Sequence, residues 1–166
     1  GVISENGFKH DKVVKLFHSR TTNMFEGFEK VADINERFWN LKADVFIPAA
    51  ASRLVTLDQV SSLTDNGLQV IACGANVPFA DPEIFFGAIG RYADHHLSVI
   101  PDFISNCGMA RVFAYLMSNP AKYDAEGIFT DVAATIHKAL DDIHAVHKGK
   151  TDQTARAYEI ALKQLV

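Results

Sequence analysis

Apolar residues fall into two kinds of grouping along this chain. Short runs bounded by turn residues, "ADVFIP" at 43–48, "LQVIACG" at 68–74 and "LSVIP" at 97–101, read as buried strands. "VIS" at 2–4 reads as the end of an earlier strand, followed by the turn dipeptide Asn6-Gly7. Between and beyond these runs the apolar spacing becomes helical. Val13, Leu16 and Phe17 predict a short helix over 11–18. Thr56 as N-cap and Asn66-Gly67 as stop bracket a second. Asp81 as N-cap, with Pro82 at the first helical position, opens a third over 81–96. Met109, Val112, Phe113, Leu116 and Met117 form one stripe of a helix that runs to Asn119-Pro120. Two more helices, about 124–147 and 152–165, flank the segment 148–150. Residues 21–40 show no regular period, although Phe25, Phe28 and Phe38 indicate packing.

Strands that are apolar runs, alternating with helices, predict a parallel sheet covered on both faces. The fold class is therefore α/β: a doubly wound, mostly parallel, Rossmann-like sheet with a C-terminal helical tail. Residues 1–120 are expected to form a partial dinucleotide-binding domain. Residues 121–166 are expected to add helices that pack on it or extend it.

Composition narrows the function. The 166 residues suffice for one domain with a core, and 48% hydrophobic with 22% charged residues is ordinary for a globular chain. A net charge of −4, with no Lys/Arg cluster, argues against a nucleic-acid partner. No apolar run approaches the roughly 20 residues that span a bilayer, so no membrane partner is expected. Cys73 and Cys107 make neither a disulfide framework nor a zinc knuckle, and fit reduced thiols in a cytoplasmic protein. The chain opens Gly1-Val2-Ile3-Ser4 without methionine, inside a strand, and contains no G-x-G-x-x-G. A phosphate-binding first β-α unit is thus expected to precede Val2, outside this sequence.

In open α/β sheets ligands bind beyond the carboxyl ends of the strands. Those ends carry Ser4-Glu5-Asn6-Gly7, Pro48-Ala49-Ala50-Ala51, Cys73-Gly74-Ala75-Asn76, and Pro101-Asp102 with Asn106 and Gly108 beyond. Small side chains admit close backbone approach to a flat ligand. The amides of Asn76 and Asn106 both donate and accept, which suits a carboxamide or a ribose. The competing explanation is turn chemistry, since Gly, Ala and Asn also favour tight β-to-α connections. Four such segments on one sheet edge favour a ligand site. Glu5 stands where dinucleotide-binding domains place the acid that bonds the adenosine ribose.

"ADVFIPAA", "CGANVPF", "VIPDFISNCG" and the closing "ARAYEIALKQL" resemble the nucleotide-binding domain of the glutamate/leucine/phenylalanine/valine dehydrogenases. The resemblance runs from "VISENG" to the last helix. It implies oxidative deamination of an L-amino acid to a 2-oxo acid, with hydride passing to a nicotinamide cofactor. It implies cofactor contacts at Ser4, Glu5, Ala49, Ala50, Gly74, Asn76 and Asn106. Glu5 would favour NAD over NADP by repelling a 2′-phosphate, and Asn106 would hold the nicotinamide carboxamide. The family's catalytic lysine and aspartate belong to an N-terminal domain, so no catalytic residue is assigned here and this piece alone is not expected to turn over. A homo-oligomer is implied for the whole protein.

Departures from the family pattern shape the expectation further. Cys73 replaces an acid, Met109 a second glycine, and Arg111 a small or apolar residue. Phe113 stands where glutamate-specific members have a serine, which points to an apolar amino acid as substrate. Met109 and Arg111 keep open a non-catalytic relative that retains the fold for binding or assembly. A hydroxy-acid dehydrogenase would require a His–acid pair at a strand end, and none is evident. His137, Asp141, His144 and His147 share a helix face with metal-like spacing but are read as solvated, and no metal site is assigned. His95-His96 is read as helix capping and the two cysteines as inert.

Overall fold

The computed structural model describes residue 4 and residues 6–19, 34–118 and 124–164. Apart from Ser4, the strand expected at 2–4 lies outside the described residues, as do Phe25, Phe28 and the Asn119-Pro120 stop. The chain divides into two compact units, residues 1–41 and 42–166.

In the first unit, a turn brings the Gly7 N–H to the Ser4 carbonyl at 3.2 Å. Gly7 sits at φ +70°, a conformation that favours glycine. Helix α1 (His10–Ser19) follows, and α2 (Ile34–Trp39) closes the unit.

The second unit holds a three-stranded parallel sheet in the order β1 (Val45–Phe46), β2 (Val70–Ala72), β3 (Ser98–Ile100). Val45 pairs with Val70, and Ile71 with Val99. Alternate residues point to opposite faces, and Ile71 and Val99, neighbours in the register, are both fully buried. Ile100, on the other face, packs against a helical cluster of Ile104, Ile143 and Ala157. β1 departs from the buried strand expected at 43–48. Val45 is 52% and Ile47 61% exposed, because among the described residues β1 is an edge strand.

Helix α3 (Leu57–Asp65) starts with a complete capping box. The Gln59 N–H donates to Thr56 Oγ1, and the Thr56 N–H donates to Gln59 Oε1 at 2.9 Å. It stops at Asn66-Gly67, where Gly67 takes φ +92°. The helix expected to be capped at Asp81 instead begins six residues later, as α4 (Ala88–His96) with Gly87 at its N-cap. Asp81 still caps it, from a distance: its carboxylate accepts the Ile89 N–H at 2.7 Å and the Gly90 N–H at 2.9 Å. The intervening loop can close because residue 87 is glycine. A Cβ there would fall on the Asp81 carboxyl group.

After β3, a short α5 (Asp102–Ser105) precedes α6 (Gly108–Ser118), α7 (Ala125–Val146) and α8 (Gln153–Lys163). Helix α8 packs on β3, α4 and α7, and α6 packs on α7. Asp152, the residue before α8, is left-handed at φ +60° and makes no side-chain cap. The cap comes from α4. Buried Asp94 accepts the Thr154 N–H at 2.8 Å and the Ala155 N–H at 3.0 Å. Its own carbonyl accepts the Asp152 N–H at 2.7 Å. Burial nevertheless raises the Asp94 pKa, outweighing these N–H donors, which lower it.

His96 satisfies the Tyr92 carbonyl at 2.8 Å in the last turn of α4, the capping expected of it. His137, Asp141 and His144 are exposed along α7, in line with a solvated face. Among the described residues, no helix is long and apolar enough to cross a membrane.

Candidate functional site

The carboxyl ends of β1, β2 and β3 converge through their connecting turns. The Ala75 N–H donates to the Pro48 carbonyl at 2.8 Å, drawing the turns after β1 and β2 together. Gly74 permits this approach: a Cβ on it would lie 3.0 Å from the Ala49 Cβ. Ala50 follows in the same exposed turn. On the other side the Cys73 N–H donates to the Ile100 carbonyl at 3.0 Å, and Ser105 Oγ donates to the Cys73 carbonyl at 2.7 Å.

Asp102, named from the sequence only as part of a strand end, and Arg53, not singled out there, organise this edge. Asp102 accepts the Val77 N–H at 2.8 Å, while Val77 sits at φ +45°, a costly conformation for a β-branched residue. The Val77 carbonyl in turn accepts the Arg53 N–H at 2.8 Å. Arg53 is left-handed as well, at φ +57°. Together these bonds present Asn76 outward at the sheet edge. The Pro101-Asp102 pair after a strand was the one local sign of this role.

Asn106 is at the end of α5, its N–H bonded to the Asp102 carbonyl at 2.7 Å. Its side-chain amide donates to the Asn76 side-chain carbonyl at 2.7 Å. Both residues are exposed. The bond uses one donor of Asn106 and the carbonyl of Asn76. With both residues exposed, the Asn76 NH2 group and the Asn106 carbonyl remain available to a ligand as donor and acceptor. Such a donor and acceptor suit the uncharged polar groups of a carboxamide or a ribose, and neither amide ionises near neutrality.

Ala49, Ala50, Gly74, Asn76 and Asn106 are therefore brought to one edge. Phe113 is placed separately, on α6, where it is 61% exposed in a stripe with Met109 (68%) and Met117 (82%). Ser4 belongs to the first unit, where its hydroxyl donates to the Gly7 carbonyl at 2.7 Å. Glu5 lies outside the described residues. Arg111 is tied to α7 instead. Its guanidinium makes a forked ion pair with Asp131 on α7, Nε to Oδ2 at 2.9 Å and the terminal nitrogen to Oδ1 at 2.6 Å.

The Cys73 thiol beneath the edge is buried, and burial, then the charges of Asp102 and Asp94, push its pKa up to about 12. It is inert at neutral pH. Among the described residues no cluster of three metal-ligating side chains occurs.

Comparison with known proteins places this architecture. The chain is 27% identical to an NADP-specific glutamate dehydrogenase of Psychrobacter over 90% of its own length and 30% of the relative's. It is 27% identical to a glutamate dehydrogenase of Halobacterium salinarum over 91% of its length and 36% of that relative's. The chain thus spans about a third of the curated relatives it matches. A solved glutamate dehydrogenase superposes with a TM-score of 0.66 at 19% identity, covering 94% of this chain and 36% of that one. The Plasmodium falciparum glutamate dehydrogenase does so with 0.61 at 19%, over 92% and 35%. These likenesses carry the α/β fold. The family model for glutamate/leucine/phenylalanine/valine dehydrogenases matches residues 1–166, the whole of the sequence, and the chain belongs to that family.

Proposed function

We propose that this chain is the nicotinamide-dinucleotide-binding part of an L-amino-acid dehydrogenase, which converts an amino acid to a 2-oxo acid and ammonia. The observation that carries the reading is the Asn76–Asn106 pair, which leaves the Asn76 amide and the Asn106 carbonyl for uncharged polar groups of a ligand. Asn106 would hold the nicotinamide carboxamide and Asn76 the neighbouring ribose. Ala49, Ala50 and Gly74 would let the backbone lie against the cofactor. When bound, the nicotinamide supplies the hydride acceptor. The residues here orient that ring; the groups that move protons are proposed to lie on another part of the full-length protein. This chain by itself is then a binder without turnover.

The curated relatives are named glutamate dehydrogenases, so glutamate takes the place of the apolar amino acid expected from Phe113 as first candidate substrate. Phe113 is exposed on α6, a separate helix from the turns that carry the asparagine pair. A carboxylate at Glu5 supports NAD, whereas two relatives, from Psychrobacter and Escherichia coli, are named NADP-specific.

The test is calorimetric titration of the protein with NAD and with NADP, followed by assays of the full-length enzyme on glutamate, leucine, valine and phenylalanine. Saturable binding of either cofactor, lost on Asn106→Ala, supports the reading, and the preferred cofactor decides the Glu5 argument. Failure of both cofactors to bind leaves the non-catalytic alternative, a fold retained for assembly.

A further inference from the structure

A second concavity lies beside the sheet edge, between the loop leading to α4 and the face of α8. It encloses about 130 Å³. It shares Val77 and Asp102 with the turn that carries Asn76, yet neither asparagine lines it. Its walls are aromatic. Tyr158 is central, its ring centroid 4.9 Å from that of Phe103 and 5.7 Å from that of Phe86, with interplanar angles of 48° and 47°.

Among the described residues, the charge lining this cavity has one sign: Asp81, Glu83 and Asp102 contribute to it, and no lysine, arginine or histidine does. Two of these carboxylates already cap backbone N–H groups: Asp81 accepts from Ile89 and Gly90, and Asp102 from Val77 and Phe103. Among the described residues, no lining cation compensates their charges. Arg53 and Arg91 touch the same loop only through main-chain carbonyls, those of Asp81, Pro82 and Phe86. The negative field is felt inside. Tyr158 is made harder to ionise first by burial and then by the Asp102 charge.

Aromatic faces carry a negative quadrupole and attract cations, most strongly where water is partly excluded. Carboxylates beside such faces add to the attraction and repel anions. An apolar cavity of roughly 150 Å³ accommodates benzene, so this one has room for a cation of about five heavy atoms. The geometry points to a binding site here for a small organic ammonium ion, a primary or methylated amine, held against Tyr158, Phe86 and Phe103 with Glu83 and Asp102 as counter-charges. This inference does not depend on the dehydrogenase reading.

The probe is tetramethylammonium chloride, titrated into the intact protein and followed by saturation-transfer NMR, with sodium chloride matching the ionic strength. Neopentyl alcohol, a neutral molecule of similar shape, is the control. Saturable tetramethylammonium binding, about tenfold tighter than that of the alcohol, is the expected result. Tyr158→Leu should abolish it, and Glu83→Gln, an exposed substitution that leaves the core intact, should weaken it severalfold. Equal binding of cation and alcohol would overturn the proposal, showing an apolar cavity with no preference for charge. So would the absence of saturable binding, or an unchanged affinity in a folded Tyr158→Leu protein. If Tyr158→Leu fails to fold, the Glu83→Gln comparison decides alone.

Discussion

The side-chain amide of Asn106 donates to the side-chain carbonyl of Asn76 at 2.7 Å, tying the turn after β2 to the end of α5 thirty residues later. Each residue therefore fixes the rotamer of the other before any ligand arrives. Such preorganisation lowers the cost of binding, because the amides need not be ordered afterwards. Replacing Asn76 with alanine should weaken cofactor binding about tenfold or more even if Asn106 makes the principal contact. The melting temperature should move by only a degree or two, because the pair is exposed. Titration of Asn76→Ala and Asn106→Ala beside the double variant measures the coupling. Purely additive losses would mean that the two amides act separately.

Gly87 and Gly74 are both crowded, but against different neighbours. A methyl group at position 87 meets the Asp81 carboxyl group, which is committed to capping α4. At position 74 it meets the Ala49 methyl at 3.0 Å, in an exposed turn that can give way. Gly87→Ala is expected to cost about 1–2 kcal/mol, the usual worth of a cap, and Gly74→Ala less. Urea melts of the two variants should rank them in that order. Cofactor affinity should rank them in reverse, because Gly74 and not Gly87 lies at the sheet edge.

The two thiols should behave differently towards alkylating reagents. With its pKa near 12, Cys73 has only about one part in ten thousand thiolate at pH ~8. It is also buried, whereas Cys107 is half-buried. Iodoacetamide under native conditions should label one cysteine, and peptide mapping should place the label on Cys107. Both should react in guanidinium. Native labelling of Cys73 at a comparable rate would contradict its placement beneath the sheet edge.

Asp94 predicts a pH dependence of definite sign. Its pKa is raised in the folded state, by burial above all. Below its unfolded pKa it is protonated in both states and its contribution is complete. As pH rises, the unfolded chain ionises first, and stability falls until the folded pKa is passed. The stability of the wild type relative to Asp94→Asn should therefore decline from about pH 3 towards neutrality. Denaturant titrations of both proteins across that range measure the difference. A difference that grows with pH would mean that the N–H donors of Thr154 and Ala155 outweigh desolvation.

Much of this fold could be read locally, and the exceptions share a cause. Thr56 and Gln59 lie three residues apart, and their capping box is visible in the sequence for that reason. Asp81 shows the limit. Its cap identity was legible, but the sequence does not reveal that it reaches over a loop to Ile89 and Gly90, so the helix was expected six residues too early. Arg111 looked like a misfit because its partner, Asp131, is twenty residues away on another helix. Likewise β1 resembles a buried run, and only sheet order makes it an edge strand. At the site, the small residues and asparagines were legible from their place just after the strands. The parts of Asp102 and Arg53 in holding Val77 in a left-handed conformation depend on contacts across the fold.

The cap that Asp94 supplies to α8 also imposes an order of events during synthesis. Asp94 leaves the ribosome about sixty residues before Thr154, the residue whose N–H it binds. At translation rates of about 5–20 residues per second, that interval lasts roughly 3–12 s. Throughout it, the carboxylate has no α8 N–H to cap and no α8 to cover it, so the packing of α8 on α4, β3 and α7 forms last. The second unit must therefore complete its folding late, when α8 arrives, and the nascent chain stays open to chaperones until then.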